Sequence, residues 1–173
     1  MTHKVLTRLP ALAAALVLSV LPADRLPAEE GPAPQMGRIE VVLAKEHQKQ
    51  IENIRQDFAA AGLVNVHFQF VRMGHPPMNL GVGPGVPAEQ ARAAIRLAKK
   101  YNDGIIVLLP DYLFPERFVT IASSNYDDTV EYKIDAGALR QLEDPALTSE
   151  QWHALYRRLT PADRPPVKKG RLS

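Results

Sequence analysis

The chain has 173 residues, of which 46% are hydrophobic and 23% are charged, and its formal net charge is +2. These values are typical of one globular domain, and they exclude a chain that is disordered throughout. There is no cysteine, which excludes disulfides, thiolate nucleophiles, cysteine-ligated zinc, iron–sulfur clusters and dithiol redox chemistry.

The N-terminus has the pattern of a secretory signal peptide. A short basic region precedes residues 9–23, an uncharged apolar run of 15 residues. A helix that spans a bilayer needs about 20 such residues, so the pattern favours an export leader over a retained anchor. We predict a signal peptide at 1–28, cleaved after Ala23 or Ala28. Export then follows the general secretory route to the periplasm or the extracellular space.

Removal of residues 1–28 changes the charge balance. Three basic residues and one acidic residue are lost, which leaves 18 of each. Because a nucleic-acid binder normally shows a basic excess, we expect no nucleic-acid partner, and the processed chain has no predicted membrane span. Composition further predicts a linker at 29–37, a single domain at 38–160 and a disordered, basic, proline-rich tail at 161–173.

The first half of the domain alternates strands with helices. Residues 39–44 are apolar and β-branched, which predicts the first strand. Residues 46–61 carry apolar side chains at helical spacing, and Gly62 ends that helix. Residues 64–72 alternate between apolar and polar, which predicts a half-exposed strand near a sheet edge.

A long segment rich in glycine and proline comes next. Residues 74–86 are predicted to be a loop, and residues 87–101 a helix whose buried stripe is mostly alanine. Residues 105–109 are continuously apolar, which predicts a central strand that is buried on both faces.

A hairpin and two helices complete the domain. Residues 117–123 and 129–134 are predicted strands joined by a turn at 125–128. A short helix follows around Leu139. Residues 148–151 form a capping-box pattern that opens the last helix.

The resulting element order is βαβαβ, then a β-hairpin and C-terminal helices. It predicts an α/β fold, a layered sandwich with a mixed, partly parallel five-stranded sheet and helices on its faces. A thioredoxin-like arrangement has a similar element order and is the alternative, although the dithiol motif of that fold is absent.

Two histidines and an aspartate follow predicted strands. If the first three predicted strands are parallel, their carboxyl ends meet at one sheet edge and bring His47, His75 and Asp111 together. Such a set suits a zinc-like metal ion or a small hydrolase. However, no metal-binding spacing such as His-Glu-x-x-His is present. His47 could instead cover a helix start, and His75 could be an exposed loop residue.

The glycine-rich segment is the second candidate site. Gly81, Gly83 and Gly85 lie between a strand and a helix, where backbone amides can bind an anion. Neither the dinucleotide fingerprint nor the phosphate-loop pattern is matched, and the glycines could simply set turns. The length of the loop, together with Met78 and Leu80, indicates a surface that docks on this domain or on a partner.

Residues 112–115 (Tyr-Leu-Phe-Pro) add to this surface, either as a lid over the sheet edge or as a contact for another protein. His67 and His153 are predicted to be surface residues, whereas Trp152 and Tyr156 are predicted to pack the last helix. The predicted partner-binding residues are His75, Met78, Asn79, Leu80, Gly81, Gly83, Gly85, Tyr112 and Phe114.

Three functions are compatible with these features. The first is an exported, non-catalytic interaction module with a protein partner and no cofactor, such as an accessory subunit of a cell-envelope complex. The alternative is a small hydrolase or metal-dependent enzyme that uses His47, His75 and Asp111. The third is a small-ligand carrier that uses the glycine-rich loop. The sequence does not fix the oligomeric state.

Overall fold

The computed structural model of the chain describes residues 37–72, 74–126 and 133–160. The predicted signal peptide, nearly all of the linker, most of the predicted strand at 129–134 and the predicted tail lie outside these residues. Each helix in the described part is too short or too polar to cross a bilayer.

Five strands of the described residues form one open sheet. They are β1 (Ile39–Leu43), β2 (Val66–Phe70), β3 (Asn79–Val82), β4 (Val107–Leu109) and β5 (Val119–Ile121), arranged in the order β2-β1-β5-β3-β4. β1 is parallel to β2 and β5, whereas β3 is antiparallel to β5 and parallel to β4. The predicted α/β fold with a mixed five-stranded sheet is therefore confirmed.

The described helices cover one face of this sheet. They are α1 (Ile51–Ala60), which continues from a 3₁₀ helix (Lys45–Gln50), then α2 (Ala88–Tyr101), α3 (Ala136–Leu142) and α4 (Ser149–Leu159), with a further 3₁₀ helix (Asp111–Leu113) after β4. All four α-helices bury their apolar side chains in one cluster with alternate residues of the strands. The arrangement is two-layered, since helices pack on one sheet face rather than on both.

β3 lies inside the segment that the sequence predicted to be a loop. Its four residues, Asn-Leu-Gly-Val, include a glycine and an asparagine, both of which have low strand propensity. Pairing with β4 on one side and β5 on the other holds the strand, and all four residues are buried. Tertiary pairing therefore decides the conformation of β3.

β4 corresponds to the predicted central strand at 105–109, but it ends the strand order among the described strands. Its second face is covered by a separate apolar cluster in which Val107 and Leu109 contact Tyr126, with Leu113 and Phe114 packed alongside. The prediction of two buried faces is confirmed, whereas the central position stays a prediction, because most of the predicted strand at 129–134 lies outside the described residues. Loop side chains, not a second helical layer, provide the cover.

β2 ends the strand order on the other side, as predicted. Val66, Phe68 and Phe70 are half-buried toward α1, whereas His67 and Gln69 are exposed on the opposite face. The alternating pattern of this segment therefore gave both the strand and its position.

α4 is fixed at its start and along its buried face. The predicted capping box is confirmed, because the Thr148 hydroxyl accepts from the Gln151 amide and the Gln151 side chain accepts from the Thr148 amide. The Tyr156 hydroxyl lies 3.1 Å from the Leu80 carbonyl of β3 and 2.7 Å from the Leu109 carbonyl of β4. Burial raises the pKa of Tyr156 well above its ordinary value.

Candidate functional site

The three residues predicted to converge are divided between two edges of the sheet. His47 follows β1 and His75 follows β2, so both lie at the edge where those parallel strands end. Asp111 follows β4, which runs in the opposite direction and ends at the other edge. The prediction that the three strands are parallel is wrong, because the chain reverses before β3 and α2 then carries it to β4.

The separation removes the geometric basis of the predicted metal site. Within the described residues, no group of three or more His, Asp or Glu side chains is placed to hold a metal ion. His47 meets the ring of Tyr101 edge-on at 5.8 Å between centroids. His75 lies 3.3 Å from the carboxylate of Asp103, and both side chains are largely exposed. Each histidine therefore contacts the C-terminal end of α2 rather than a shared ligand position.

A polar cluster beside His47 joins α1 to the end of α2. Asp57 accepts hydrogen bonds from the Lys100 ammonium and from the Tyr101 hydroxyl. These bonds, with that of Lys100 first, hold the pKa of Asp57 below its ordinary value, and the same carboxylate raises the pKa of Lys100. The cluster is solvent-facing and acts as a tie between two helices.

The glycine-rich loop uses its amides internally. The Gly83 amide donates to the Phe118 carbonyl at 2.8 Å, and the Gly85 amide donates to the Glu116 carbonyl at 2.7 Å. Backbone oxygens thus occupy two of the amides that an anion would need. These two amides are therefore not available to an anion, which argues against the hypothesis that this loop binds one.

The same glycines allow the segment 114–118 to approach β3 closely. A Cβ atom on Gly81 would lie 2.8 Å from Thr120 Cγ2 and closer still to the ring of Phe114. A Cβ atom on Gly83 would lie 2.8 Å from the Glu116 carbonyl oxygen and closer still to the carbonyl oxygen of the residue before it. Close packing therefore explains why glycine stands at these two positions.

Most of the predicted partner-binding residues around β3 dock on this domain. Leu80 is fully buried, and Asn79 is 1% exposed. The Asn79 amide group donates to the Ser123 carbonyl at 3.0 Å and accepts from the Ser123 amide at 2.7 Å. The carbonyl of Met78 accepts from the amides of Ile106 and Val107. Of the predicted set, His75, Gly85 and Tyr112 are exposed, and Met78 and Phe114 are half-buried.

Two clefts that share Arg157 lie along α4 at the edge where β3 and β4 end. One is a cleft of about 340 Å³ between α4 and the loop after β3, lined by Pro84, Gly85, Val86, Pro87, Ser149, Glu150, His153 and Arg157. The other is a cavity of about 140 Å³, lined by Pro110, Asp111, Tyr112, Arg157 and Thr160. Since Arg157 lines both, we describe them together as the α4 groove.

Arg157 and Asp111 form the charged centre of the α4 groove. The Arg157 Nε donates to Asp111 Oδ2 at 2.7 Å, and the carboxylate is mostly buried while the arginine side chain is 56% exposed. This bond uses one guanidinium nitrogen and leaves the arginine side chain facing solvent. Tyr112 follows Asp111 in the sequence, and its side chain is 59% exposed.

His153 forms part of the groove wall, and the prediction that it is a surface residue is wrong. It is 6% exposed, and its Nε2 lies 2.8 Å from the Val86 carbonyl, so this nitrogen carries the proton and donates. One turn earlier on α4, the Ser149 hydroxyl accepts from the Ala88 amide at the start of α2. The sequence could have predicted this position. His153 shares one helix face with Ser149 and Tyr156, because these residues are spaced three or four apart.

Comparison with known proteins gives no further guide, since no protein-family model, curated protein or solved structure matches the chain. A function has to be inferred from the α4 groove and the surfaces around it. The groove combines an exposed aromatic ring, a solvent-facing guanidinium and walls that contain three prolines. These groups are of the kinds that contribute to binding surfaces.

Proposed function

We propose that this chain is an exported, non-catalytic binding module that holds a peptide segment of a protein partner in the α4 groove. The observation that carries the proposal is the exposure of Tyr112 beside Arg157, at the junction of the two parts of the groove. Among the described residues, Val64 is the one other large hydrophobic side chain that is so exposed. Tyrosine and arginine are enriched among the residues that carry binding energy at protein interfaces.

The chemistry of the groove indicates what the partner segment contains. The solvent-facing guanidinium of Arg157 suits an acidic side chain or a chain-terminal carboxylate. The ring of Tyr112 offers an apolar surface for an adjacent aliphatic or proline residue. We therefore expect an extended segment that carries an acidic group next to an apolar one.

The walls of the groove are already in place before a partner binds. Pro84, Pro87 and Pro110 restrict the backbone of the two loops, and the Tyr156 hydroxyl fixes α4 against the strands. A surface that needs little ordering loses less entropy on association. This supports the use of the groove as a binding surface.

A cross-linking experiment tests the groove. A photoreactive amino acid in place of Tyr112 should capture one dominant partner in the producing cell, whereas the same amino acid in place of Gln141, which is exposed on α3, should not.

The decisive comparison is the effect of removing the positive charge of Arg157. Arg157→Ala should reduce capture by roughly 5- to 30-fold, the loss typical of one binding hot spot, while the neighbouring Arg158→Ala should leave capture unchanged. Equal capture at both positions, or no effect of Arg157→Ala, would contradict the proposed function.

Export is the second part of the proposal, and it rests on the N-terminal pattern. The intact mass and N-terminal sequence of the protein recovered from the periplasm or medium should show a chain that begins at Asp24 or Glu29. A chain that begins at Met1 and stays in the cytosol would contradict export, and it would leave the test of the groove unaffected.

A further inference from the structure

The outer side of β2 has no pairing strand among the described residues. On the inner side, the Asn65 carbonyl accepts from Ile39, and the Val71 amide donates to Leu43 of β1. In a parallel pair such groups alternate along the strand, so the backbone amides and carbonyls of Val66, Phe68 and Phe70 point away from β1. The three residues present a row of hydrogen-bonding groups at the sheet edge.

Within the described part of the chain, β2 lacks the charged residues and prolines that commonly protect an edge strand. Val66–Phe70 contains no lysine, arginine, aspartate, glutamate or proline, although charges and prolines are the common means of preventing strand pairing. At the far end of the sheet, by contrast, the Ile134 amide donates to the Ile106 carbonyl just before β4. The unpaired backbone groups of such an edge can pair with a strand of another chain.

Apolar space lies next to the same edge. A cleft of about 240 Å³ between β2 and α1 is lined by Arg55, Ala59, Leu63, Val64, Asn65, Val66 and Phe68. The ring of Phe68 packs edge-on against Phe58, and the Arg55 guanidinium lies 5.1 Å from its centroid. The apolar side chains of an added strand would cover Phe68 there.

We propose that a second copy of this chain occupies the edge, with the two β2 strands antiparallel about a two-fold axis at Phe68. In that register Val66 faces Phe70, Phe68 faces its own copy, and His67 faces Gln69. Apolar residues thus meet on one face, uncharged polar residues meet on the other, and all outward backbone groups are paired.

Charge and symmetry both favour a second copy as the occupant. Glu52 and Arg55, which border the edge on α1, lie 3.7 Å apart and bring one charge of each sign, so two copies do not repel. A two-fold contact uses the same edge of both chains and therefore closes without further growth. The resulting dimer joins the five described strands of each copy into one continuous sheet and leaves the α4 groove, which lies at the β3/β4 end of each sheet, open.

The absence of native cysteine allows a test of the register. In the proposed pair, positions 67 and 69 of different copies are directly opposite at a Cα separation of about 4.5 Å, within the range of a disulfide. Mixed His67→Cys and Gln69→Cys proteins should form a disulfide-linked heterodimer under mild oxidation. Each variant alone should give at least about tenfold less linked dimer, because identical positions are roughly 7–8 Å apart.

Charge substitutions at the same exposed positions test the contact in solution. By sedimentation equilibrium, the full chain should be a dimer. His67→Glu with Gln69→Glu, and separately His67→Lys with Gln69→Lys, should each raise the dissociation constant at least tenfold by like-charge contact. A mixture of the two double variants should form heterodimers. Gln48→Glu with Gln141→Glu, which adds charge at exposed helical positions, should leave the dimer unchanged.

Circular dichroism and thermal unfolding would show that each variant is folded before its association is compared. A folded full chain that stays monomeric at every attainable concentration overturns the inference, as does a dimer that neither cross-links between positions 67 and 69 nor responds to their charge. Capture through Tyr112 is a separate readout, so either proposal can fail without the other.

Discussion

The glycines of the loop after β3 provide a quantitative test of the packing described above. Gly81→Ala would place a Cβ atom closer than 3.0 Å to the ring of Phe114, and Gly83→Ala would place one equally close to backbone carbonyl oxygens. The obstacles at Gly81 are side-chain atoms, chiefly the far end of the Phe114 ring and secondly the Thr120 methyl group, and they can move more easily than the main chain. The obstacle at Gly83 is the main chain of 115–116, which also accepts the Gly85 amide and cannot move freely.

The expected magnitudes follow from that difference. Carbon atoms make favourable contact at roughly 3.5–4.0 Å, so each substitution requires a displacement of about 1 Å. Overpacking of this kind costs about 1–3 kcal/mol when side chains adjust. We expect Gly81→Ala to fall within this range and Gly83→Ala to reach its upper end or exceed it, because the backbone itself must shift.

Urea unfolding can distinguish a side-chain obstacle from a main-chain obstacle. Each glycine variant is compared alone and in combination with Phe114→Ala. Removal of the ring should relieve Gly81→Ala, so that the double variant is more stable than the sum of the single effects by about 1 kcal/mol or more. Phe114→Ala should not relieve Gly83→Ala, and that pair should be additive within about 0.5 kcal/mol. Additive behaviour of Gly81 and Phe114, or a neutral Gly83→Ala, would refute the packing explanation and reopen a ligand role for the loop.

Two further predictions concern hydrogen bonds that hold the helices in place, one set to the strands and one set between α1 and α2. Tyr156→Phe keeps the ring but deprives the Leu80 and Leu109 carbonyls of their hydroxyl, and should lower the free energy of unfolding by about 1–3 kcal/mol in urea without changing the far-ultraviolet circular dichroism; an unchanged midpoint would contradict this tie. The lowered pKa of Asp57 means that its bonds to Lys100 and Tyr101 stabilise the fold above the ordinary carboxyl pKa and are lost as pH falls through the lower folded value. Asp57→Asn should therefore lower the melting temperature at about pH 6 and change it little at about pH 2, as measured by thermal unfolding at both pH values; an equal effect at both would contradict the assignment.

Local patterns in the sequence correctly predicted the elements whose conformation depends on neighbouring residues in the chain. The alternation across Val66–Phe70 placed β2 at a sheet edge, and the capping pattern at Thr148 placed the start of α4. The alanine stripe of α2 is buried against the sheet, as its spacing predicted. In each case neighbouring residues in the chain carry the physical cause.

The predicted convergence of His47, His75 and Asp111 was wrong for a non-local reason. Asn79–Val82 becomes a strand because it fits between β5 and β4, and no property of those four residues alone predicts it. Without β3, the direction of β4 was predicted to match that of β1, and Asp111 was assigned to the wrong edge. His153 is a different kind of error, since its helical spacing from Trp152 and Tyr156 was available and the general tendency of histidine to be exposed was followed instead.

The double attachment of the Tyr156 hydroxyl has a consequence for selectivity. The hydroxyl has one proton, which the carbonyls of two adjacent strands share, so an outward movement of α4 would leave both buried carbonyls without this donor, and α4 is held at a fixed distance from the strands. A binding surface of fixed width rejects an oversized ligand instead of adapting to it. Changes in the bound segment over evolution would then require matching changes in the residues that line the helix.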